Sequence, residues 1–491
     1  MALSPAEVRA IVERVCARPD VLDACARRDL GAVISALCIG PSGGKLTQGK
    51  IAELTGFTQG RLSEWRTGKR APKHASTFQQ FADGLGIPAA ARRALGLADD
   101  SPNATVAGPA SSPLLLPYPD TSAHAARNVS QLWLADLDDA NALQRGKTDP
   151  RAWTDASLKW LVGSNGRVIS DEPTRGVRIG ISDVERFRAT VDMFAGLDDR
   201  YGGGHARSSL IQYLSTDAER MLNGRYSDET KRALFSAVSE ATLLAAWMSY
   251  DSTPASALAQ GYFVQALALA QAGDDRLLGA SILDAMSHQA TYTGRFTEAA
   301  DLARAALTGT HGVATPSLTA HFHMMEARAL ARLGDARATS HALSEGAREF
   351  ERSSPENNPP WFQYFNDSEL SAEFGHCMRD IGQSAEAVKY AGSSLGLDGK
   401  PEFVRSDFFV SLVLADAHLA AGDLEQACAV TLNALDAGEQ IRSARCVGYL
   451  REFNRHLPAT DNGLLKDFRE QAANFRLWRI ASQPDKSSSR H

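Results

Sequence analysis

LTQGKIAELTGFTQGRLSEWRTGKRAPKHASTFQQFADGLGIP, residues 46–88, decides how the rest of the chain is read. It holds two short helices joined by a tight turn, with further helix behind them. Gly56 stands where the first helix must end in a left-handed conformation, which glycine adopts without a Cβ clash. Ala52 is small where the second helix crosses closely, and Ile51, Leu54, Leu62 and Trp65 supply the apolar sides of both. Thr58 is placed to cap the second helix, which leaves Gln59, Gly60, Arg61 and Ser63 near its exposed start. Gly49 and Gly60 fall inside short helices, each at a cost of about 1 kcal/mol relative to alanine.

This is a helix-turn-helix. Without a gap from Leu46 to Gly68, and on into Arg70-Ala-Pro72, it resembles the phage lambda repressor/Cro type, called the XRE family in bacteria. The loop before it, Ile39 to Gly44, is longer than is usual in that family. The resemblance implies that Gln48 opens the first motif helix, braces the recognition helix and touches phosphate. It likewise makes Gln59 the base-reading residue, and a Gln amide suits the N6 and N7 edge of adenine. Lys69, Arg70 and Lys73 follow as a phosphate-facing run. From Lys45 to Lys73 the local net charge is +5, whereas the whole chain carries −6, so basic charge is concentrated where DNA contact requires it.

At 491 residues the chain is too long for one core, and two or three domains are expected. A hydrophobic content of 44% is ordinary for a helix-rich globular protein. With no run of eighteen apolar residues there is no expected membrane span, and the charged, amphipathic start MALSPAEVRAIVERV lacks a signal-peptide core. A cytoplasmic protein without membrane partners is expected. The six cysteines at 16, 25, 38, 377, 428 and 446 contain no CxxC pair and read as buried small residues in a reducing compartment. Arginine outnumbers lysine 41 to 11, a composition usual in GC-rich bacterial genomes.

The expected fold is all-α. Residues 1–98 form the DNA-binding domain, with helix-spaced apolar residues at Val8, Ile11, Val12 and Val15 and again from Leu22 to Leu37. From Asp99 to Asp120 the pattern collapses into small and polar residues with five prolines, so 99–127 is expected to be a flexible linker. Residues 128–236 form a central, mostly helical segment. Within it, Leu158–Val162 and Gly176–Gly180 fit a small β-hairpin, and Ser182-Asp-Val-Glu185 fits a capping box. The glycines at 202–204 follow a helix rather than a strand, so they read as a helix–helix corner and not as a phosphate cradle. Gly44-Lys-Leu-Thr-Gln-Gly-Lys50 fits GxxxxGK, but Ile51 replaces the magnesium-binding hydroxyl and no strand precedes it.

Residues 237–480 are helical and repeat, ahead of a disordered tail at 481–491. Glycines at 294, 334, 382 and 422 mark a register with spacings of 40, 48 and 40. Seven before each lies Ser287, Ala327, Gly375 or Ala415. Five after lies Ala299, Thr339, Ala387 or Ala427, and twelve after lies Ala306, Gly346, Ser394 or Ala434. Small residues at these offsets let antiparallel helices approach closely, and the spacing resembles the tetratricopeptide repeat. The period is longer than the family's and its tryptophan is missing; the excess falls in loops such as Ser353–Pro360.

The resemblance implies a superhelix whose concave face is lined by the first helix of each pair. In this register that face carries Asp284, His288 and Tyr292; then His321, Met324, Arg328 and Arg332; then Glu369, His376 and Arg379; then Asp416. Arg328 and Arg379 suit the carboxylate or backbone of an extended peptide or protein effector. The same residues also fit a solvated repeat surface, and Asp284, Glu369 and Asp416 can instead pair with these arginines internally. His321 and His323 are two apart on a helix and diverge, so no metal and no cofactor is expected. A repressor-like head joined to such repeats resembles actinobacterial regulators of differentiation and secondary metabolism. The implied function is a transcriptional regulator that binds double-stranded DNA as a homodimer and senses a ligand or partner through its repeats. The alternative is a protein-interaction adaptor whose head no longer binds DNA. No nucleophile–base pair, metal motif or phosphate loop survives inspection, so an enzyme is not expected.

Overall fold

The computed structural model describes residues 5–16, 18–38, 46–72, 75–95, 97, 117–144, 146–163, 176–253, 257–397, 404–459 and 462–483. Every named element among these residues is a helix, as expected of an all-α chain, and the chain divides into two compact units, 1–110 and 111–491. No described helix is long and apolar enough to cross a membrane.

The first unit contains α1 (Pro5–Cys16), α2 (Pro19–Ala26), α3 (Leu30–Cys38), α4 (Gln48–Thr55), α5 (Gln59–Arg66), α6 (Ala75–Leu85) and α7 (Ala89–Ala94). Helix α4 packs on α5 and α6, α3 on α5, and α2 on α7, around a core that includes Val12, Ile34, Ile51, Leu62 and Phe81. Gly56 ends α4 at φ 73°, and the α4 carbonyl of Thr55 accepts from Gln80 Nε2 at 2.9 Å, so a side chain of α6 satisfies one of the helix's orphan acceptors. The long loop before α4 lies outside the described residues.

The second unit opens with α8 (Ser122–Gln144), α9 (Pro150–Val162), α10 (Ile181–Tyr201), α11 (Arg207–Tyr213) and α12 (Glu219–Leu222), the last two joined by one π-helical turn at Leu214–Ala218. It continues with α13 (Asp228–Ser252), α14 (Ala257–Ala272), α15 (Arg276–Tyr292), α16 (Phe296–Gly309), α17 (Pro316–Arg332) and α18 (Ala336–Glu351). After a loop with two 3-10 turns come α19 (Asp367–Asp380), α20 (Ser384–Leu397), α21 (Val404–Ala420), α22 (Leu424–Ala437), α23 (Ala444–His456), α24 (Gly463–Ala472) and α25 (Arg476–Ala481). From α13 to α22 the helices pair two by two, and the odd-numbered ones also pack side by side from α13 to α23. The small residues of the register are buried: Ser287, Ala327 and Ala415 at the first offset, Ala299, Thr339, Ala387 and Ala427 at the second. A Cβ on Gly346 would meet Met324 Cε at 2.1 Å, which shows how closely α17 and α18 approach. Gly294, Gly334, Gly382 and Gly422 all have φ between 77° and 87°, so each inter-helix turn needs a residue without a Cβ penalty.

Five expectations are corrected. Residues 117–127 are not linker: Tyr118 is buried and α8 begins at Ser122, while 99–116 lie outside the described residues. The boundary near 236 disappears, because Trp133, Trp153, Trp160 and Phe187 share one apolar core with Phe263, Leu283 and Phe322. Leu158–Val162 is the end of α9 rather than a strand; Arg178 makes an isolated parallel bridge with Arg225 instead. Helix α10 starts two residues early, so Asp183 supplies the cap, its Oδ2 accepting from Gly180 N–H at 2.8 Å. Of the tail, Ala481 ends α25 and residues 484–491 lie outside the described residues.

The odd-numbered row does not stay open. Helix α23 returns to α13, and α21 reaches α10. Asp251 of α13 is wholly buried; its Oδ1 accepts from Arg445 Nε at 2.9 Å and from Ser443 Oγ at 2.8 Å, and its Oδ2 accepts from Gly203 N–H at 3.0 Å. The glycine corner at 202–204 therefore serves this closure. Arg405 of α21 bonds Asp198 of α10 at 2.9 Å.

Candidate functional site

In the first unit, Thr58 caps α5, its Oγ1 accepting from Arg61 N–H at 3.3 Å. Gln48 Nε2 donates to the backbone carbonyl of Gln59 at 2.8 Å, which ties the start of α4 to the start of α5. Gln59, Gly60, Arg61, Lys69 and Arg70 are exposed, and Gln48 and Ser63 are half-buried. The Arg61 guanidinium lies over the rings of Phe57 and Trp65, 5.4 Å from each centroid, which holds its charge beside the helix start. A Cβ on Gly49 would lie 2.9 Å from Gln59 Nε2, so the glycine that weakens α4 also makes room for this side chain. Lys73 lies outside the described residues.

In the second unit the closed row surrounds two cavities. The first, about 410 Å³, takes Asp284, His288, His321, Arg328, Glu369 and His376 from the expected set. The second, about 830 Å³, takes Tyr292, Arg332 and Arg379, and shares His288 and Arg328. Met324 and Asp416 line neither. Met324 is fully buried against Gly346 between α17 and α18, because its position in the register faces the partner helix. Asp416 is buried between Arg379 at 3.6 Å and His456 at 3.1 Å.

The arginines are engaged within the protein. Arg328 Nη1 lies 3.2 Å from Glu373, with His288 and His376 each 3.4 Å from the guanidinium. Burial opposes its charge, but Glu373 and Tyr449 outweigh that and raise its pKa. Arg379 pairs with Asp380 at 2.7 Å. Burial and the neighbouring Arg328 push His288 and His376 well below the ordinary histidine value. His321 behaves oppositely: burial lowers it, but Asp284, whose Oδ2 lies 2.9 Å from its Nδ1, more than compensates and raises it.

The two cavities differ in sign. The first presents six carboxylates, Asp198, Asp199, Glu240, Asp284, Glu369 and Glu373, against Arg328, Arg405 and Arg445. The second presents five arginines against Asp380 and Glu452. Register spacing placed residues of α15, α17 and α19 here but missed five groups of contributors. Trp247 comes from α13, Asp198 and Asp199 from α10, Arg405 and Phe409 from α21, Arg445 and Tyr449 from α23, and Trp361 and Tyr364 from the loop before α19. For the loop a signal existed: Trp361-Phe-Gln-Tyr-Phe365 puts four aromatics in a connecting segment, where large apolar groups need a reason. For α10 and α23 none existed, since only ring closure brings them to this face.

Compared with known proteins, the chain matches no family model and no curated protein.

Proposed function

We propose that the chain is a DNA-binding transcriptional regulator. Residues 46–72 act as a repressor/Cro-type helix-turn-helix, and the second unit is a tetratricopeptide-like array that serves as the sensor. The observation that carries the reading is the bond from Gln48 Nε2 to the Gln59 carbonyl, which fixes α5 with Gln59 and Arg61 exposed at its start. A helix presented this way, in the part of the chain where positive charge is concentrated, suits insertion into a major groove. Phosphate contacts fall to Gln48, Thr58, Lys69, Arg70 and Lys73, and base contacts to Gln59, Gly60, Arg61 and Ser63. One such helix reads too few base pairs for useful specificity, so the reading includes a dimer with half-sites about 34 Å apart or a multiple of that.

The test is selection from a pool of randomised duplexes by the full-length protein, followed by titration of the enriched duplex at several salt concentrations. Enrichment of a two-fold symmetric sequence, with affinity that falls steeply as salt rises, is the expected result. An absence of enrichment, with no salt-dependent binding to any duplex, would sink the reading.

A further inference from the structure

We propose that the acidic cavity of the second unit binds a small organic ammonium: a protonated primary or secondary amine on a compact apolar body. The inference rests on the sensor reading above and names the ligand class of that sensor. Three observations carry it.

The first is an orphaned acceptor. Asp284 is 4% exposed and lines the cavity, and its Oδ1 has no hydrogen-bond partner among the described residues. Its other oxygen faces His321. A buried carboxylate oxygen without a donor is costly, and a ligand N–H would satisfy it once a small turn of the Asp284 side chain brings that oxygen to the cavity wall. The second is the sign of the cavity. Its guanidiniums are already held: Arg328 by Glu373, Arg405 by Asp198, Arg445 by Asp251. The surplus among the lining groups is negative, and Asp284 and Glu369 both act on Tyr364 electrostatically. An anionic ligand would meet repulsion with no uncommitted cation to answer it.

The third is the wall. Arg445 already sits over Tyr250 and Phe409, 4.6 and 4.8 Å from their centroids, so part of the aromatic surface is spoken for. Trp361 and Tyr364, on the loop Ser353–Asn366, meet Phe362 edge to face and Tyr364 also meets His321, with Trp361 half-buried and Tyr364 46% exposed. Aromatic faces and a buried carboxylate together recognise an ammonium and its apolar body. Size selects the rest. A volume of about 410 Å³ lies in the range of small-molecule sites, and the α13–α23 contact bounds it on one side.

The experiment is calorimetric titration of the full-length protein at neutral pH with 2-phenylethylamine, 2-phenylethanol and phenylacetate, three probes that share a body and differ in charge. The amine is expected to bind about tenfold or more tightly than the alcohol, the worth of one charge-assisted hydrogen bond, and phenylacetate to bind weakest. Asp284→Asn, with helicity checked by circular dichroism, is expected to erase the amine's advantage over the alcohol. Equal binding of amine and alcohol, preference for phenylacetate, or no binding of any probe overturns the proposal, and each is readable on the unmutated protein alone. Duplex binding is measured on the same preparation without amine. Amine binding without DNA binding would refute the regulator reading only; DNA binding without amine binding would refute this one only.

Discussion

Arg445 on α23 and Asp251 on α13 are 194 residues apart in sequence, yet Nε lies 2.9 Å from Oδ1 in a buried site. Burial opposes both charges. Arg445 and Arg405 nonetheless outweigh it at Asp251 and hold its pKa below the usual value. Arg445→Met keeps the length of the side chain but strands a buried carboxylate. The expected loss is about 3–5 kcal/mol of folding stability, read as a lowered urea midpoint. Restoration of much of that loss in the double variant with Asp251→Leu would show that the pair closes the ring rather than driving its stability.

Removal of the Gln59 amide separates base reading from attachment. Gln59→Ala is expected to cost roughly 1–3 kcal/mol on the selected duplex and to relax preference at one base pair. Lys69→Ala is expected to weaken specific and random duplexes alike and to flatten the salt slope by about one unit. Unchanged base preference in Gln59→Ala would place the reading helix elsewhere.

Arg328→Ala is expected to act through the fold. It leaves Glu373 buried without its 3.2 Å partner, so about 3–5 kcal/mol of stability should disappear whether or not any effector is present. Arg332→Ala, whose side chain is 36% exposed and 3.6 Å or more from its acidic partners, should cost under ~1 kcal/mol. Comparable losses in the two variants would contradict the assignment of Arg328 as an internal counter-ion.

The three cavity histidines should titrate in opposite senses. His288 faces Tyr250, Arg328 and Arg445, and His376 faces Arg328, Arg379 and Arg332; both stay neutral in the fold, with pKa values lowered from 6.5. Their contribution to stability is present above 6.5 and is lost as pH falls below it. His321 faces Asp284, Glu373 and Glu369, and its raised pKa makes its contribution present below 6.5 and lost as pH rises through the folded value. On acidification from about pH 7.5 to about 5.5, His376→Gln should therefore lose less urea resistance than the parent, and His321→Gln more. The reverse order would refute both assignments.

What the sequence revealed and what it hid follow from range. Capping and turn signals are local: Gly56, Thr58 and the register glycines could be read because one residue sets each geometry. The turn after α14 escaped because Asp274 stands there instead of glycine, at φ 59°, with the same pair of backbone bonds as at Gly294. Asp tolerates that conformation, so the residue gave no mark. The hairpin expectation failed because Trp160 shares the buried face of α9 with Trp153 and Ala156, packed against Gly279 and Gly309 and stacked under Arg276 at 3.6 Å, while Leu158 and Val162 are exposed. A five-residue apolar run does not separate strand from helix. The acidic lining of the first cavity escaped for a long-range reason. Arg328 meets Glu373 45 residues away and the acidic residues of α10 arrive from outside the register, neither of which spacing within the repeats can show.

Ring closure also sets a clock. Asp251 leaves the ribosome 194 residues before Arg445, which at ~5–20 residues per second is about 10–40 s. For that interval the carboxylate lacks its closest guanidinium, and the face of α13 that α23 will cover stays bare. Helix pairs can form one by one as they emerge, since their contacts are local, but the cavity cannot exist until α23 has been made. The cavity is thus a late acquisition of the nascent chain, and any truncation before Arg445 would yield a helical, partly folded product without it.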